Sequence, residues 1–365
     1  MHTLDMSVFP YLTVALLWVV ILVFVVSIVA LFISLGLHKR HALARVRQFR
    51  QEVDREERAL TELLAGGAAH LHEVRHLEEA SALGTALTKK LGPTGQTAPT
   101  VLEAVRKTGA AAVALAALEA VDWAERYRGI CTCGDLRLPE LFDPVITFAY
   151  AEENMKIFGI CLYAGTQLLS EPSHVKVLFD LTASRPDLST GYCEGMFRNA
   201  IQSLQQQGVA PERLNAVLEY CLRDHRADEQ HHLALILAIG KERLTSIKDT
   251  LVNVARLQNN ERLIAATLRS LQSMGLCDPI IGEHIGAPDL MLNIAAIRAA
   301  ESCGAEIVAP VSEQLASPDF NVRYAAAQTL MHLSAAGHQA LLERLHDERP
   351  EVRQMATFAL AVEPR

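Results

Sequence analysis

Residues 317–330 read Ser317-Pro318-Asp319-Phe320-Asn321-Val322-Arg323-Tyr324-Ala325-Ala326-Ala327-Gln328-Thr329-Leu330, and the pattern returns at Arg349-Pro350-Glu351-Val352-Arg353-Gln354-Met355-Ala356. Upstream, Pro288-Asp289-Leu290 precedes Ile294-Ala295-Ala296-Ile297, and Ile264-Ala265-Ala266-Thr267 stands 30 residues before that second motif. Between these marks lie second amphipathic segments, residues 307–315 and Leu341-Leu342-Glu343-Arg344-Leu345. A repeat of this length holding two apolar-periodic segments describes a helix pair that cannot bury its own apolar stripe, so neighbouring pairs must stack and share a core. Paired alanines let helices approach closely. Proline fixes φ at the turn, and the aspartate after it favours the positive end of the next helix. The Val-Arg pair adds an apolar knob and a side chain long enough to reach an acid on a neighbouring repeat.

The segments 317–330 and 346–356 resemble the HEAT repeat, in the short form also found in bilin lyases and many bacterial scaffold proteins. The resemblance spans residues 259–365, and it implies an α-solenoid that holds other macromolecules without itself supplying an active site. Arg323 and Arg353 are then candidate contacts on the repeat surface. Residues 100–258 lack the Pro-Asp and Val-Arg marks but keep helix after helix with short breaks, and are expected to form a divergent helical region. Those breaks fall near Arg128–Pro139, Glu171–Ser173, Ser184–Asp187, Gly208–Pro211, Asp224–Asp228 and Asn259–Asn260, where Asn, Asp or Ser is available to cap the next helix.

A second feature sets the N-terminal end apart. After a short tail (1–10), residues 11–37 carry no charge and exceed the roughly 20 apolar residues that a membrane-crossing helix needs. The run lacks a basic leader and a small-residue cleavage site, so it reads as a retained anchor and not a removable signal. Only Asp5 precedes it in charge, whereas Lys39, Arg40, Arg45, Arg47 and Arg50 follow. The excess of basic residues marks the cytoplasmic side. The expectation is therefore a single-pass protein of a bacterial inner membrane, with its N-terminus outside and the rest cytoplasmic. The overall expectation is an all-α chain with one N-terminal transmembrane helix followed by an α-solenoid of HEAT-like pairs.

Residues 38–91 are expected to form a juxtamembrane helical stalk, with a second charged helix over 68–91. Val46, Phe49, Val53, Leu60 and Leu63 or Leu64 approximate a heptad stripe interrupted by Glu56. Such a stripe serves a short self-associating coil or one amphipathic helix lying on the membrane or on its own domain. Gly92 to Pro99 holds two prolines and two glycines and is expected to be a linker.

The chain is 50% hydrophobic but only 5% aromatic, which favours close-packed helices, and its net charge of −8 argues against a general nucleic-acid binder. Seven scattered cysteines in a reducing compartment read as free, mostly buried thiols. His72-Glu73-Val74-Arg75-His76 is a literal H-E-x-x-H: on a helix the two histidines would share a face and could bind zinc, with Glu73 activating water. Glu73-x-x-His76 and Glu229-x-x-His232 also carry the spacing of di-iron bundles, with Glu152 or Glu153 as further ligands. Cys131-Thr132-Cys133 offers two thiols in an expected loop. None of these sets is complete, so no catalytic, cofactor or metal-binding residues are assigned.

The resulting expectation is a membrane-anchored cytoplasmic scaffold whose solenoid binds a partner protein, without enzymatic activity and without a cofactor. By analogy the partner is a membrane glycosyltransferase, the chain being an accessory subunit of an envelope or exopolysaccharide synthase complex, with self-association through the stalk. The alternative is a membrane-tethered metal-dependent hydrolase built on His72, Glu73 and His76. A chromophore carrier on the concave face is suggested only by the lyase-type repeat.

Overall fold

The computed structural model describes residues 9–67, 69–92, 98–224 and 227–361, and among these it holds helices, turns and extended connections but no strand. Residues 1–8 of the expected tail and 93–97 of the expected linker lie outside the described residues, while Phe9 and Pro10 already belong to the first helix. The first helices are α1 (Phe9–Leu64), α2 (Leu77–Leu91), α3 (Pro99–Lys107), α4 (Ala110–Ala116) and α5 (Trp123–Leu136). Next come α6 (Phe142–Ala151), α7 (Met155–Gln167), α8 (Ser173–Ala183), α9 (Thr190–Gln206) and α10 (Pro211–Arg223). They are followed by α11 (Glu229–Lys241), α12 (Lys248–Gln258), α13 (Glu261–Met274), α14 (Pro279–His284) and α15 (Leu290–Ala299). The last four are α16 (Val308–Glu313), α17 (Phe320–His332), α18 (Ser334–Arg344) and α19 (Pro350–Ala361).

Caps explain most of these starts. Asp289 accepts from the Leu292 N–H and Asp319 from those of Asn321 and Val322, so the Pro-Asp marks are N-caps with proline just outside the helix. Asn154, Ser189, Asp228 and Asn260 do the same for α7, α9, α11 and α13. Prolines open α3 and α10, where a missing N–H costs no internal bond.

The helices stack in two layers. In one, α2 packs on α5, α5 on α7, α7 on α9, α9 on α11, and the series continues through α13, α15, α17 and α19. In the other, α8 packs on α10, α10 on α12, and α16 on α18. The alternation begins well before residue 259, so the region without sequence marks obeys the same stacking rule. Within the repeat, Ala266, Ala296, Ala326 and Ala356 are all buried at the layer contact, which is the register that the alanine pairs imply. Buried apolar residues fall into two clusters, and α12 and α13 contribute to both. Leu251 and Leu263 face the first cluster while Ala255 and Leu268 face the second. The change of sequence pattern near 258 is not a gap in packing.

Helix α1 has two halves with different surroundings. Phe24, Leu31, Phe32 and Leu35 are more than half exposed, and none of its apolar window is buried against the body. The helix is long and apolar enough to cross a membrane by length and composition. Its other end behaves as a core helix: Val53 and Leu60 are buried, and α1 packs on α2. The lower half of the heptad stripe is thus satisfied by the chain's own second helix. Glu56, the residue that interrupts the stripe, is buried and pairs with Arg55 at 2.9 Å and His72 at 3.4 Å.

Three expectations are corrected. Residues 69–75 have no regular secondary structure and are not helical; helix α2 starts only at Leu77, where the Glu79 carboxylate turns back to accept from the N–H groups of Arg75 and His76. Second, no loop covers 128–139. Helix α5 runs through Cys131 and Cys133 and ends where Arg137 takes a left-handed conformation, φ 54°. Third, Cys277 and Cys303 are not free: they form a disulfide, with Cα atoms 4.9 Å apart, tying the segment after α13 to the turn after α15.

Candidate interaction surface

With the stack in place, the Val-Arg marks acquire a role. Val322 and Val352 are buried. The Arg323 guanidinium donates to the carbonyls of Ser317 and Pro318 at 2.8 and 2.9 Å, and Arg353 donates to those of Asp347 and Glu348 at 2.8 Å each. Each arginine clamps the turn that precedes its own helix and does not reach an acid of the next repeat. In the last turn Asp347 receives both Arg344 and Arg349, which hold its carboxyl far below the usual range.

An apolar strip missed by sequence reading lies beside these clamps. Phe320 is 59% exposed, Phe358 45% and Met291 56%, although comparable side chains elsewhere in the repeats are buried. The rings of Phe320 and Tyr324 are 6.1 Å apart and those of Tyr324 and Phe358 6.0 Å, so the strip crosses from α17 to α19. The Arg323 guanidinium lies 5.8 Å from the Phe320 ring, close enough for a cation–π contact. One sequence signal was available for one of these rings: Tyr324 directly precedes the buried pair Ala325-Ala326.

A concave site of about 760 Å³ lies at the other end of the body, between α1 and α2, lined by Arg45, Phe49, Arg50 and Lys89 among others. The flanking cations Lys39, Arg40, Arg45 and Arg47 are all exposed on α1.

The residues considered for metal chemistry are not brought together. His72, Glu73 and His76 sit on or at the end of this non-helical segment, so the i, i+4 face that zinc binding needs is not formed. Glu152 pairs with Arg126 at 3.2 Å and Glu229 with Arg262 at 2.7 Å, while His232 is buried under α10 beside Phe179. Among the described residues no group of three or more His, Cys, Asp or Glu is arranged to hold a metal ion. Cys131 and Cys133, two positions apart on α5, point to opposite sides: Cys133 is buried, and burial pushes its thiol up to about 12.

Residues 278–361 match a family model described as HEAT repeats. The C-terminal part of this all-helical chain is a HEAT-like repeat segment. The matched segment contains both arginine clamps and the aromatic strip, so the exposed rings belong to the HEAT-like part. No curated protein matches the chain. A solved structure described as an engineered protein covers 85% of this chain and 98% of its own length at 12% identity, with a TM-score of 0.32, a likeness too low to bear on the fold.

Proposed function

We propose that this helical repeat protein is a membrane-anchored scaffold, oriented with its solenoid in the cytoplasm, and that it docks a partner protein on the strip formed by Phe320, Tyr324 and Phe358. The observation that carries the reading is the exposure of these rings on a rigid layer. Aromatic side chains dominate the energetics of protein interfaces, and their exposure on a soluble face is otherwise unfavourable. The exposed apolar half of α1 and the basic residues after it support anchoring and orientation. Tethering raises the partner's effective concentration at the bilayer without any new contact. By analogy of architecture, the partner class is a membrane glycosyltransferase of an envelope or exopolysaccharide assembly.

The test uses native membranes and the full chain. Chemical cross-linking should yield one discrete heterocomplex that is lost when Phe320, Tyr324 and Phe358 are together changed to Ala. Recovery of the protein alone, or an unchanged complex with the triple variant, would overturn the docking assignment. Resistance to alkaline extraction tests the anchor separately. The thiol state of Cys277 and Cys303 in intact cells tests the orientation: free thiols there would support the cytoplasmic side, and an intact disulfide would overturn it, because a cytoplasmic thiol pool opens exposed disulfides.

A further inference from the structure

We propose that the N-terminal tip of α5, formed by Val121 and Trp123, rests in the interfacial layer of the bilayer and gives the helical body a second membrane contact beside α1. This rests on the membrane reading above and adds a contact that the anchor alone does not supply. Val121 is 100% exposed and Trp123 62% exposed, at the start of a helix whose opposite end is buried. Tyr127 stands one turn after Trp123, on the same face, and is exposed as well. Tyr150, also exposed, precedes Glu152 by two residues, and Arg126 of α5 holds that carboxylate at 3.2 Å. Three rings thus lie at one end of the body.

Contacts between helices fix which way this end points. Arg128 of α5 faces Glu78 of α2 at 3.6 Å, and the Thr88 hydroxyl donates to Asp135 at 3.1 Å. The residue numbers rise together, so α5 runs parallel to α2. Lys89 and Lys90, near the end of α2, reach Glu57 of α1 at 3.7 and 3.3 Å, while His76 and Glu78 at its start share the groove with Ala42 and Val46. Helix α2 is therefore parallel to α1 as well. The connection makes this possible: after Leu64 the chain doubles back past Glu56, which His72 meets at 3.4 Å, before α2 begins. All three helices point their N-termini towards the apolar half of α1.

The same contacts set the level. Glu57 of α1 lies opposite Lys89, so Glu78, eleven residues earlier, falls opposite about residue 46. Arg128 shares that level, and Trp123 is five residues nearer the apolar half, at about residue 41. That is about 6 Å past Leu37, and the headgroup layer extends roughly 5–7 Å beyond the hydrocarbon on each side. Lys39 and Arg40 stand in the same layer. Tryptophan and tyrosine concentrate there, with the ring in an apolar setting and the N–H or O–H wet. Charge does not carry the contact: Glu119, Asp122 and Glu125 are exposed around the tip, and Asp122 is committed to capping α5 through the Ala124 N–H. The tip therefore suits a zwitterionic surface and should hold at high salt, whereas attraction to anionic lipid falls to Lys39 and Arg40. An exposed tryptophan alone would serve a protein partner equally well; its shared level with the basic flank of α1 favours lipid.

The experiment places the full chain in phosphatidylcholine nanodiscs, with brominated phosphatidylcholines as contact quenchers of tryptophan fluorescence. The chain has two tryptophans, Trp18 and Trp123. Trp18→Phe leaves Trp123 as the sole reporter, and Trp123→Phe leaves Trp18. Lipid brominated near the carbonyl end of its acyl chains should quench Trp123 more than lipid brominated near the chain ends, and the loss of fluorescence should persist at high salt. Val121→Asp, at a position with no packing to lose, should weaken the quenching. The control reporter is Tyr163→Trp with both native tryptophans changed to Phe. Tyr163 is exposed on α7, which runs parallel to α5 because Arg126 meets Glu152 and Gly134 meets Ala164. That register sets it about 15 Å farther from the lipid than Trp123, and it should not be quenched. Trp123 quenched no more than this control would overturn the contact, as would quenching lost at high salt. Shielding of Trp123 in native membranes but not in discs of lipid alone would assign the tip to a protein partner and overturn the proposal. Quenching of Trp18 in the same discs shows that the anchor stands whatever Trp123 does. Trp18 left unquenched would overturn the membrane reading and this contact with it.

Discussion

Gly240 of α11 lies against Ser270 of α13 so closely that a methyl group at 240 would sit 2.5 Å from both the Cα and the hydroxyl oxygen of Ser270. The serine hydroxyl donates to the Ile236 carbonyl at 2.8 Å, so the two helices touch through backbone as well as side chain. Because the obstructing atom is backbone, relief requires the helices to separate. Gly240→Ala should therefore destabilise the body by about 1–3 kcal/mol despite the better helix propensity of alanine. Thermal unfolding of the full chain checks this; a rise in Tm would show that the layer spacing is not set there.

The arginine clamps lend themselves to a paired test. Arg353→Ala and Arg323→Ala each remove two bonds to turn carbonyls, and each should cost about 1–2 kcal/mol in denaturant unfolding. Hydrogen exchange at the start of α19 should quicken in Arg353→Ala and not in Arg323→Ala.

Reduction probes the covalent tie. Cys277 and Cys303 are 26 positions apart, and closing a loop of that length constrains the unfolded chain by about 3–4 kcal/mol. Reductant should lower the Tm of the purified oxidised chain, and Cys303→Ser should lower it equally while abolishing the response to reductant. Cys133, Cys161 and Cys221, pushed up to about 12 by burial, should resist alkylation at neutral pH while the protein is folded.

Acid should weaken the body through two histidines. Burial holds His232 below its ordinary pKa, outweighing the opposing pull of the Cys221 backbone and Asp224. Burial also lowers His174, which stacks on Phe142 at 3.9 Å, against the pull of Glu171 and Asp143. A histidine depressed in the folded state gains a proton on unfolding. Its contribution is therefore whole above the unfolded value of about 6.5 and is lost as pH falls from there through the folded value. Stability should decline with acidification over that window. His232→Leu, at a site where the ring Nε2 has no hydrogen-bond partner, should flatten the decline.

The repeat was legible because its physics is local. Ala296, Ala326 and Ala356 had to be small to let helices meet, and Asp289 and Asp319 had to cap them. What escaped reading depended on tertiary choices. Residues 69–75 look helical by composition, yet Glu79 ends that option by binding the backbone ahead of α2. Gly129, Cys131 and Gly134 look like a loop, yet the glycines are needed where α5 meets Ala117 and Ala164. The pairing of Cys277 with Cys303 follows from two turns being stacked, which no spacing along the chain announces. The exposed rings of Phe320 and Phe358 differ from core aromatics only in the face on which they fall.

One consequence comes from the continuity of α1. Its 56 residues form a single rod about 84 Å long, joined to the body by the buried Val53 and Leu60. No hinge separates its two halves, so the body behaves as a load on a stiff lever. Any change in the inclination of the greasy end swings the aromatic strip through a much larger arc, so under the proposed anchoring bilayer thickness would become a mechanical input to partner capture.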